Sequence, residues 1–174
     1  MAKEFMFEVS EGLEVPFDHK TRRVDDGPEL KAFLHDHKDE LDKVGCYIFA
    51  GVPKNKRKAI PIYIGKTAKL NFGKRCFMPD ERDRLNHFLS NSRGDKLWMY
   101  LVTYPTRKGK NNNKAIDELE TTLIQWGVEV NPDLYNAKKI TQASWGIYGV
   151  LRSTDKRARK GKSATAFREL FQLD

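Results

Sequence analysis

The sequence predicts an α+β fold in which a small antiparallel β-sheet, with three central strands, is flanked by helices. Three runs of β-branched and aromatic residues, at 46–51, 60–64 and 98–104, are typical of strands. A short basic segment joins the first two runs, which favours a hairpin. Residues with helical periodicity follow the second run and again the third run, so the central order is strand, strand, helix, strand, helix.

The N-terminal elements are predicted from shorter patterns. Residues 5–9 and 13–17 have the composition of short strands. Gly27 and Pro28 then open a helix whose apolar residues continue to Leu41, since proline suits the first helical position. This acidic segment precedes the central strands.

The later elements have clearer boundaries. Residues 70–77 predict a short helix, and Pro79 cannot continue it but can begin another that runs to about residue 89. Residues 114–127 predict a long helix, which Gly127 is suited to end. A late strand is predicted at 145–152, and a last helix begins near residue 161.

The length of 174 residues predicts a single domain. Within it we expect a core at 44–136, an acidic N-terminal addition at 1–43 and a basic C-terminal extension at 137–174. The apolar runs are shorter than the roughly 20 residues that a membrane span needs. Two cysteines exclude a disulfide framework and a four-cysteine zinc site. We therefore expect a cytoplasmic protein with no membrane partner.

The charge is arranged in blocks. The net charge is +8, yet residues 1–45 carry 7 basic and 12 acidic side chains. Residues 54–75 carry 8 basic and no acidic side chains, and residues 138–162 carry 8 basic and one acidic. Basic blocks of this kind favour a polyanionic partner, nucleic acid first. The alternative is a solvated basic surface without nucleic-acid chemistry.

Two common catalytic motifs are matched only in part or not at all. Gly65, Lys66 and Thr67 match the end of a P-loop, but that motif needs glycine at position 60, where this chain has Ile60. The four histidines show neither the spacing of a helical zinc site nor a paired Cys/His pattern.

Glu120 stands out on the predicted helix 114–127. At about 100° per residue it lies within the apolar stripe, beside Ile116, Leu123 and Ile124. A carboxylate facing a sheet is costly unless it is paired or binds a cation. The sequence leaves two explanations open: an ion pair with an arginine at the edge of the stripe, or a bound cation.

Several of these segments form a series. In order along the chain they are Gly-Cys-Tyr at 45–47, Tyr-Ile-Gly-Lys at 63–66, Asn-Phe-Gly-Lys-Arg at 71–75, Leu-Glu-Thr-Thr-Leu-Ile at 119–124 and Asn-Pro-Asp-Leu-Tyr-Asn at 131–136. The series resembles the GIY-YIG endonuclease superfamily. The first motif has cysteine in place of isoleucine, and a literal Gly-Ile-Tyr at 146–148 comes too late in the chain to replace it.

The resemblance implies roles for the hairpin and the helix after it. Tyr47 and Tyr63 would line the cleft, and one would help to position or deprotonate the attacking water. A phenol can relay a proton if cationic neighbours lower its pKa. Lys66 would contact the phosphate. Arg75 would stabilise the charge of the transition state, with Arg84 as the competing candidate.

The resemblance also implies a metal-dependent reaction. Glu120 would ligate Mg²⁺ or Mn²⁺, and Asn136 would position the phosphate or the nucleophile. The expected mechanism is an in-line attack of water on a phosphodiester bond with a single metal ion.

DNA, most simply double-stranded, is the expected partner, and cutting both strands would require a homodimer or a second binding event. Eight basic residues are expected to contact the DNA backbone: Lys56, Arg57, Lys58, Lys69, Lys74, Lys138, Lys139 and Arg152. The main alternative is a non-catalytic nucleic-acid-binding protein on a degenerate version of the same fold.

Overall fold

The computed structural model describes residues 5–53, 56–92, 94, 96–105, 112–135, 145–150 and 161–173. The strands are β1 Phe5–Val9, β2 Leu13–Glu14, β3 Gly45–Gly51, β4 Ile60–Thr67, β5 Leu97–Thr103 and β6 Trp145–Ile147. The helices are α1 Pro28–Asp36, α2 Lys38–Leu41, α3 Phe72–Arg75, α4 Pro79–Ser92, α5 Asn113–Val130 and α6 Lys162–Leu170.

The sheet contains the three predicted central strands, which run in the order β4-β3-β5 and pair antiparallel. It is larger than predicted, with six strands, and it is mixed. Strands β1 and β2 both pair antiparallel with β5, and β6 pairs parallel with β1. The expectation of a purely antiparallel small sheet is therefore wrong at this end, because distant segments extend the sheet beyond β5.

Some predicted elements are shorter in the structure. The predicted strand 13–17 pairs with β5 over Leu13 and Glu14, and the amide of Val15 donates to the carbonyl of Leu97 at 2.8 Å. Pro16 has no amide hydrogen to continue this ladder. The predicted helix from Pro28 to Leu41 is two helices that meet at His37, whose backbone is not helical.

The two faces of the sheet are covered by different helices. On β3, Tyr47 and Phe49 pack with residues of α3 and α4, while Ile48 packs with residues of α5 and α6. Because side chains alternate along a strand, β3 is buried on both faces throughout its length. Strand β4 ends the sheet on one side, and the candidate residues lie along it.

Candidate functional site

Two glycines allow the β3–β4 hairpin to close tightly. Tyr47 lies opposite Gly65, and a Cβ on Gly65 would collide with the ring of Tyr47. Gly45 has φ +144°, and a Cβ there would collide with the backbone of Val102 on β5. The glycines of both motifs therefore have a packing reason in this structure.

A buried carboxylate organises one face of the hairpin. Glu81 on α4 is 0% exposed. The hydroxyl of Tyr47 donates to its Oε1 at 3.2 Å, and Nη1 of Arg75 donates to its Oε2 at 2.5 Å. Nη1 of Arg84 lies 3.5 Å from Oε1. The ring of Tyr63 lies beside that of Tyr47, with centroids 6.1 Å apart. We call these five residues the Glu81 cluster.

The start of α4 explains the position of Glu81. Pro79 begins the helix, and Glu81 lies in its first turn, where the helix dipole favours a negative charge. Leu85 and Phe88 follow at helical spacing and are buried against the same face of the sheet. Glu81 lies on the same apolar stripe of α4, and it is therefore buried when this stripe packs against the sheet.

Both candidate arginines belong to this cluster. Arg75 also lies 3.5 Å from the carboxylate of Asp80, and Arg84 lies 3.4 Å from it. The guanidinium of Arg84 lies 4.8 Å from the centroid of the Tyr63 ring, as in a cation–π contact. The structure thus brings Tyr47, Tyr63, Arg75 and Arg84 together, and it places both arginines at the same carboxylate.

The pKa of both hairpin tyrosines is raised in the structure. Burial raises the pKa of Tyr47 well above its ordinary value, and the nearby carboxylate of Glu81 adds to this, against the smaller effect of Arg75. Burial and Glu81 raise the pKa of Tyr63 in the same direction. Cationic neighbours therefore do not lower either phenol pKa here, because desolvation of the phenolate outweighs them.

A second cluster lies three residues further along β4, around Lys66. Glu120 on α5 is 6% exposed, as its helical position predicts. Nζ of Lys66 lies 2.9 Å from Oε2 of Glu120 and 2.8 Å from Oδ1 of Asp117. Asp117 precedes Glu120 by one helical turn, so both carboxylates face the same ammonium. We call these three residues the Lys66 cluster.

Lys66 neutralises the costly carboxylate. Of the two explanations that the sequence leaves open, an ion pair with an arginine and a bound cation, the first is close to what the structure contains, but the residue that pairs with Glu120 is Lys66. Burial opposes the charged form of the lysine, yet the hydrogen bonds with Asp117 and Glu120 outweigh it and raise the pKa of Lys66. The ammonium is therefore firmly charged and is shared between two carboxylates.

The two clusters lie on opposite faces of β4. Tyr63 packs on the side of Tyr47 and α4, whereas Ile64 packs with residues of α5. Side chains alternate along a strand, so Lys66 shares the face of Ile64. The structure thus divides the predicted constellation into Tyr47, Tyr63 and the arginines on one face, and Lys66 with Glu120 on the other. Both groups border the same edge strand, and three residues span roughly 10 Å along it.

The segment after α5 covers part of this edge. The side-chain amide of Asn131 donates to the carbonyl of Pro61 at 2.7 Å, and the backbone amide of Tyr135 donates to the carbonyl of Ile62 at 3.2 Å. Tyr135 is therefore tied to β4 one residue before Tyr63. Asn136, the next predicted site residue, lies outside the described residues.

Five of the eight predicted DNA-contacting residues are described. All five are exposed: Lys56, Arg57 and Lys58 before β4, and Lys69 and Lys74 after it. Lys138, Lys139 and Arg152 lie outside the described residues. The exposed cations lie at both ends of the edge strand that carries the two clusters.

A divalent cation has a suitable donor set at the Lys66 cluster. Among the residues that the structure describes, no group of three or more His, Cys, Asp or Glu side chains could hold a metal ion. Mg²⁺, however, is usually bound through one or two carboxylates, with water and substrate oxygens completing its octahedron. Glu120 and Asp117 already converge on one cation, the lysine ammonium, so their chemistry fits such an ion.

Three acidic residues in or beside these clusters are absent from the sequence prediction. Glu81 and Asp117 each lie within contact distance of a predicted basic residue, and Asp80 joins both arginines. Glu81 could have been found, because it precedes Leu85 by four residues and Phe88 by seven on one helical face. Asp117 lies one helical turn before Glu120, but its partner on β4 is set by tertiary packing.

Comparisons with protein-family models, with curated proteins and with solved structures find no match for this chain. Within the described ranges, no helix is long and apolar enough to cross a membrane.

Proposed function

We propose that the protein is a divalent-metal-dependent endonuclease of the GIY-YIG type that hydrolyses phosphodiester bonds of DNA. One observation carries this proposal: a buried carboxylate paired with a lysine on one face of β4, and two arginines with two tyrosines on the other, border a single edge strand. These residue types are the ones that metal-assisted phosphodiester hydrolysis requires.

Mg²⁺ or Mn²⁺ would be held by Glu120, with Asp117 as a second carboxylate. Such an ion would supply a more acidic bound water and a positive charge next to the reacting phosphate. The lysine that now occupies this position would exchange its carboxylate partners for a phosphate oxygen. Once Glu120 and Asp117 bind the metal ion, the ammonium of Lys66 would be able to pair with a phosphate of the substrate.

The Glu81 cluster would bind and orient the phosphodiester from the other face. Arg84 is 36% exposed and Arg75 is 27% exposed, so both can reach a ligand at the edge. Glu81 fixes both guanidinium groups, and the neutral hydroxyl of Tyr47 fixes Glu81. Tyr47 is thus a positioning residue in this proposal, whereas Tyr63, on the edge strand and 9% exposed, would lie closer to the substrate.

DNA would be held by its backbone. The exposed cations near β4 would neutralise phosphates, so the binding constant should fall steeply as the salt concentration rises. A single active site cuts one strand, so double-strand cleavage would require two copies of the chain or two binding events.

Nicking of supercoiled plasmid in Mg²⁺ or Mn²⁺ tests the proposal. Wild type should convert the supercoiled form to the nicked form, EDTA should stop the reaction, and Glu120→Ala should abolish it. Glu129→Ala is the matched control, because Glu129 is an exposed carboxylate on the same helix. Equal rates for Glu120→Ala and Glu129→Ala would contradict the proposed metal ligand.

A non-catalytic nucleic-acid-binding protein is the second candidate. It is favoured by the pairing of Glu120 with Lys66 and by the complete burial of Tyr47, since both contacts stabilise the fold without any reaction. Salt-sensitive binding of DNA with no cleavage under any metal condition would select this candidate.

A further inference from the structure

A groove of about 480 Å³ adjoins the Glu81 cluster. It lies between α4 and the segment after α5, over the start of β4. Ile62 and Phe88 are buried at its floor, and His87, Asn91 and Tyr135 are exposed on its walls. Its volume is within the range of pockets that hold small organic ligands.

The walls combine an exposed aromatic ring with polar groups. Tyr135 is 41% exposed, which is unusual for a large aromatic side chain on this protein. The ring of His87 meets it edge-on, with centroids 5.8 Å apart at 70°. Nε2 of His87 and Nδ2 of Asn91 lie 2.8 Å apart. The groove therefore offers a stacking face beside groups that donate and accept hydrogen bonds.

The charges around the groove also restrict its ligand. Lys56 lines one side and Asp133 lines another. A lysine attracts a phosphate, whereas a carboxylate accepts hydrogen bonds from amino groups and disfavours an anion next to it. A planar, neutral ring with amino groups, attached to a phosphate, matches both charges. A nucleotide has this chemistry.

Two residues that line the groove are close along the chain to residues of the Glu81 cluster. Ile62 immediately precedes Tyr63 on β4, and His87 follows Arg84 by about one turn of α4. The guanidinium of Arg84 lies over the ring of Tyr63. A nucleic-acid strand with its phosphate at the Glu81 cluster would thus have an adjacent nucleotide beside the groove.

We propose that this groove binds an unpaired nucleobase next to the phosphodiester that is cut, with the base stacked on Tyr135. The inference rests on the proposed function and deepens it by naming a substrate class. A paired base would have to leave its stack before it could enter, which costs free energy, whereas a bulged or single-stranded base would not. DNA with an unpaired nucleotide should therefore bind more tightly than a continuous duplex.

The test uses the full chain in EDTA, so that cleavage does not interfere. The probes are a duplex with one bulged 2-aminopurine and the same duplex with that base paired. Wild type should quench the bulged base and should bind the bulged duplex about tenfold more tightly, since stacking of one base on an aromatic side chain has this magnitude. Tyr135→Ala should lose both effects, and Tyr135→Phe should keep them.

Tyr148→Ala is the matched control, because Tyr148 is 44% exposed and does not line the groove. Equal affinity of wild type for the two duplexes, or equal behaviour of Tyr135→Ala and Tyr148→Ala, would overturn the inference. The nuclease assay remains separate: cleavage without a preference for the bulge refutes the groove alone, and a bulge preference without cleavage refutes the nuclease alone. A chain that binds neither duplex refutes both.

Discussion

Replacement of Glu81 by alanine tests whether this carboxylate holds the Glu81 cluster together. The side chain is 0% exposed and contacts one tyrosine hydroxyl and two guanidinium groups. Its removal leaves the hydroxyl of Tyr47 without this acceptor in a fully buried position. Arg75 now pairs with two carboxylates, and the substitution leaves it with only the exposed one, Asp80.

The expected loss of stability follows from these contacts. A buried donor without its acceptor costs about 1–3 kcal/mol. Breaking a fully buried ion pair costs about 3–5 kcal/mol, and this is reduced here because Arg75 is 27% exposed and can be solvated. A total of roughly 3 kcal/mol corresponds to a fall in Tm of about 6–12 °C for a chain of this length.

Thermal unfolding followed by circular dichroism measures this effect. Asp83→Ala is the control, since Asp83 is an exposed carboxylate on the same helix. Glu81→Gln should fall between the two variants, because its amide oxygen still accepts from Tyr47 while the charge is lost. A Tm for Glu81→Ala within about 2 °C of Asp83→Ala would refute the reasoning, as it would mean that the three contacts contribute almost nothing.

Two further predictions concern the charged groups along β4. Lys66→Met should lower the Tm in EDTA, because the substitution removes the ammonium that pairs with Glu120 and Asp117. In thermal scans, Mg²⁺ should then raise the Tm of this variant more than it raises the Tm of wild type. An equal rise in Tm for the variant and for wild type would argue against a cation site at Asp117 and Glu120. The pKa of Asp80 is lowered to about 2, first by a hydrogen bond that Glu81 donates when protonated, since burial raises the pKa of Glu81, and then by Arg75 and Arg84. A lowered carboxyl pKa contributes stability above the unfolded value of 3.8, so this contribution should be lost as the pH falls from about 4 towards 2, and Asp80→Asn should flatten this part of a denaturation series.

The local pattern of the sequence was sufficient for the hairpin and for α5. Runs of β-branched and aromatic residues on β3 and β4 and the apolar stripe around Glu120 are short-range signals, and the structure contains each element. The β1–β6 pair was not predictable in the same way, since it joins residues about 140 positions apart. Such pairing depends on how the whole chain packs, and no local periodicity records it.

The contacts of the candidate site were predictable only where they depend on local sequence. Helical periodicity alone turns Glu120 inward, but it does not identify Lys66 as the partner, because that contact joins a helix to a strand. Likewise, sequence spacing leaves Arg75 and Arg84 as alternatives. The structure shows why spacing could not separate them: α3 and α4 bring both side chains to Glu81.

The basic side chains along β4 already form ion pairs, and this affects the affinity for a substrate phosphate. Lys66 and both arginines are held by carboxylates of the chain itself. A phosphate at β4 must therefore replace contacts that already exist, and the free energy of those contacts is subtracted from its affinity. An isolated phosphate has only its own contacts with these cations to offset this cost. A DNA backbone, as proposed above, would gain further attraction from the exposed lysines at both ends of the strand. The arrangement thus supports the proposal of a long polyanion rather than a small anion at this site.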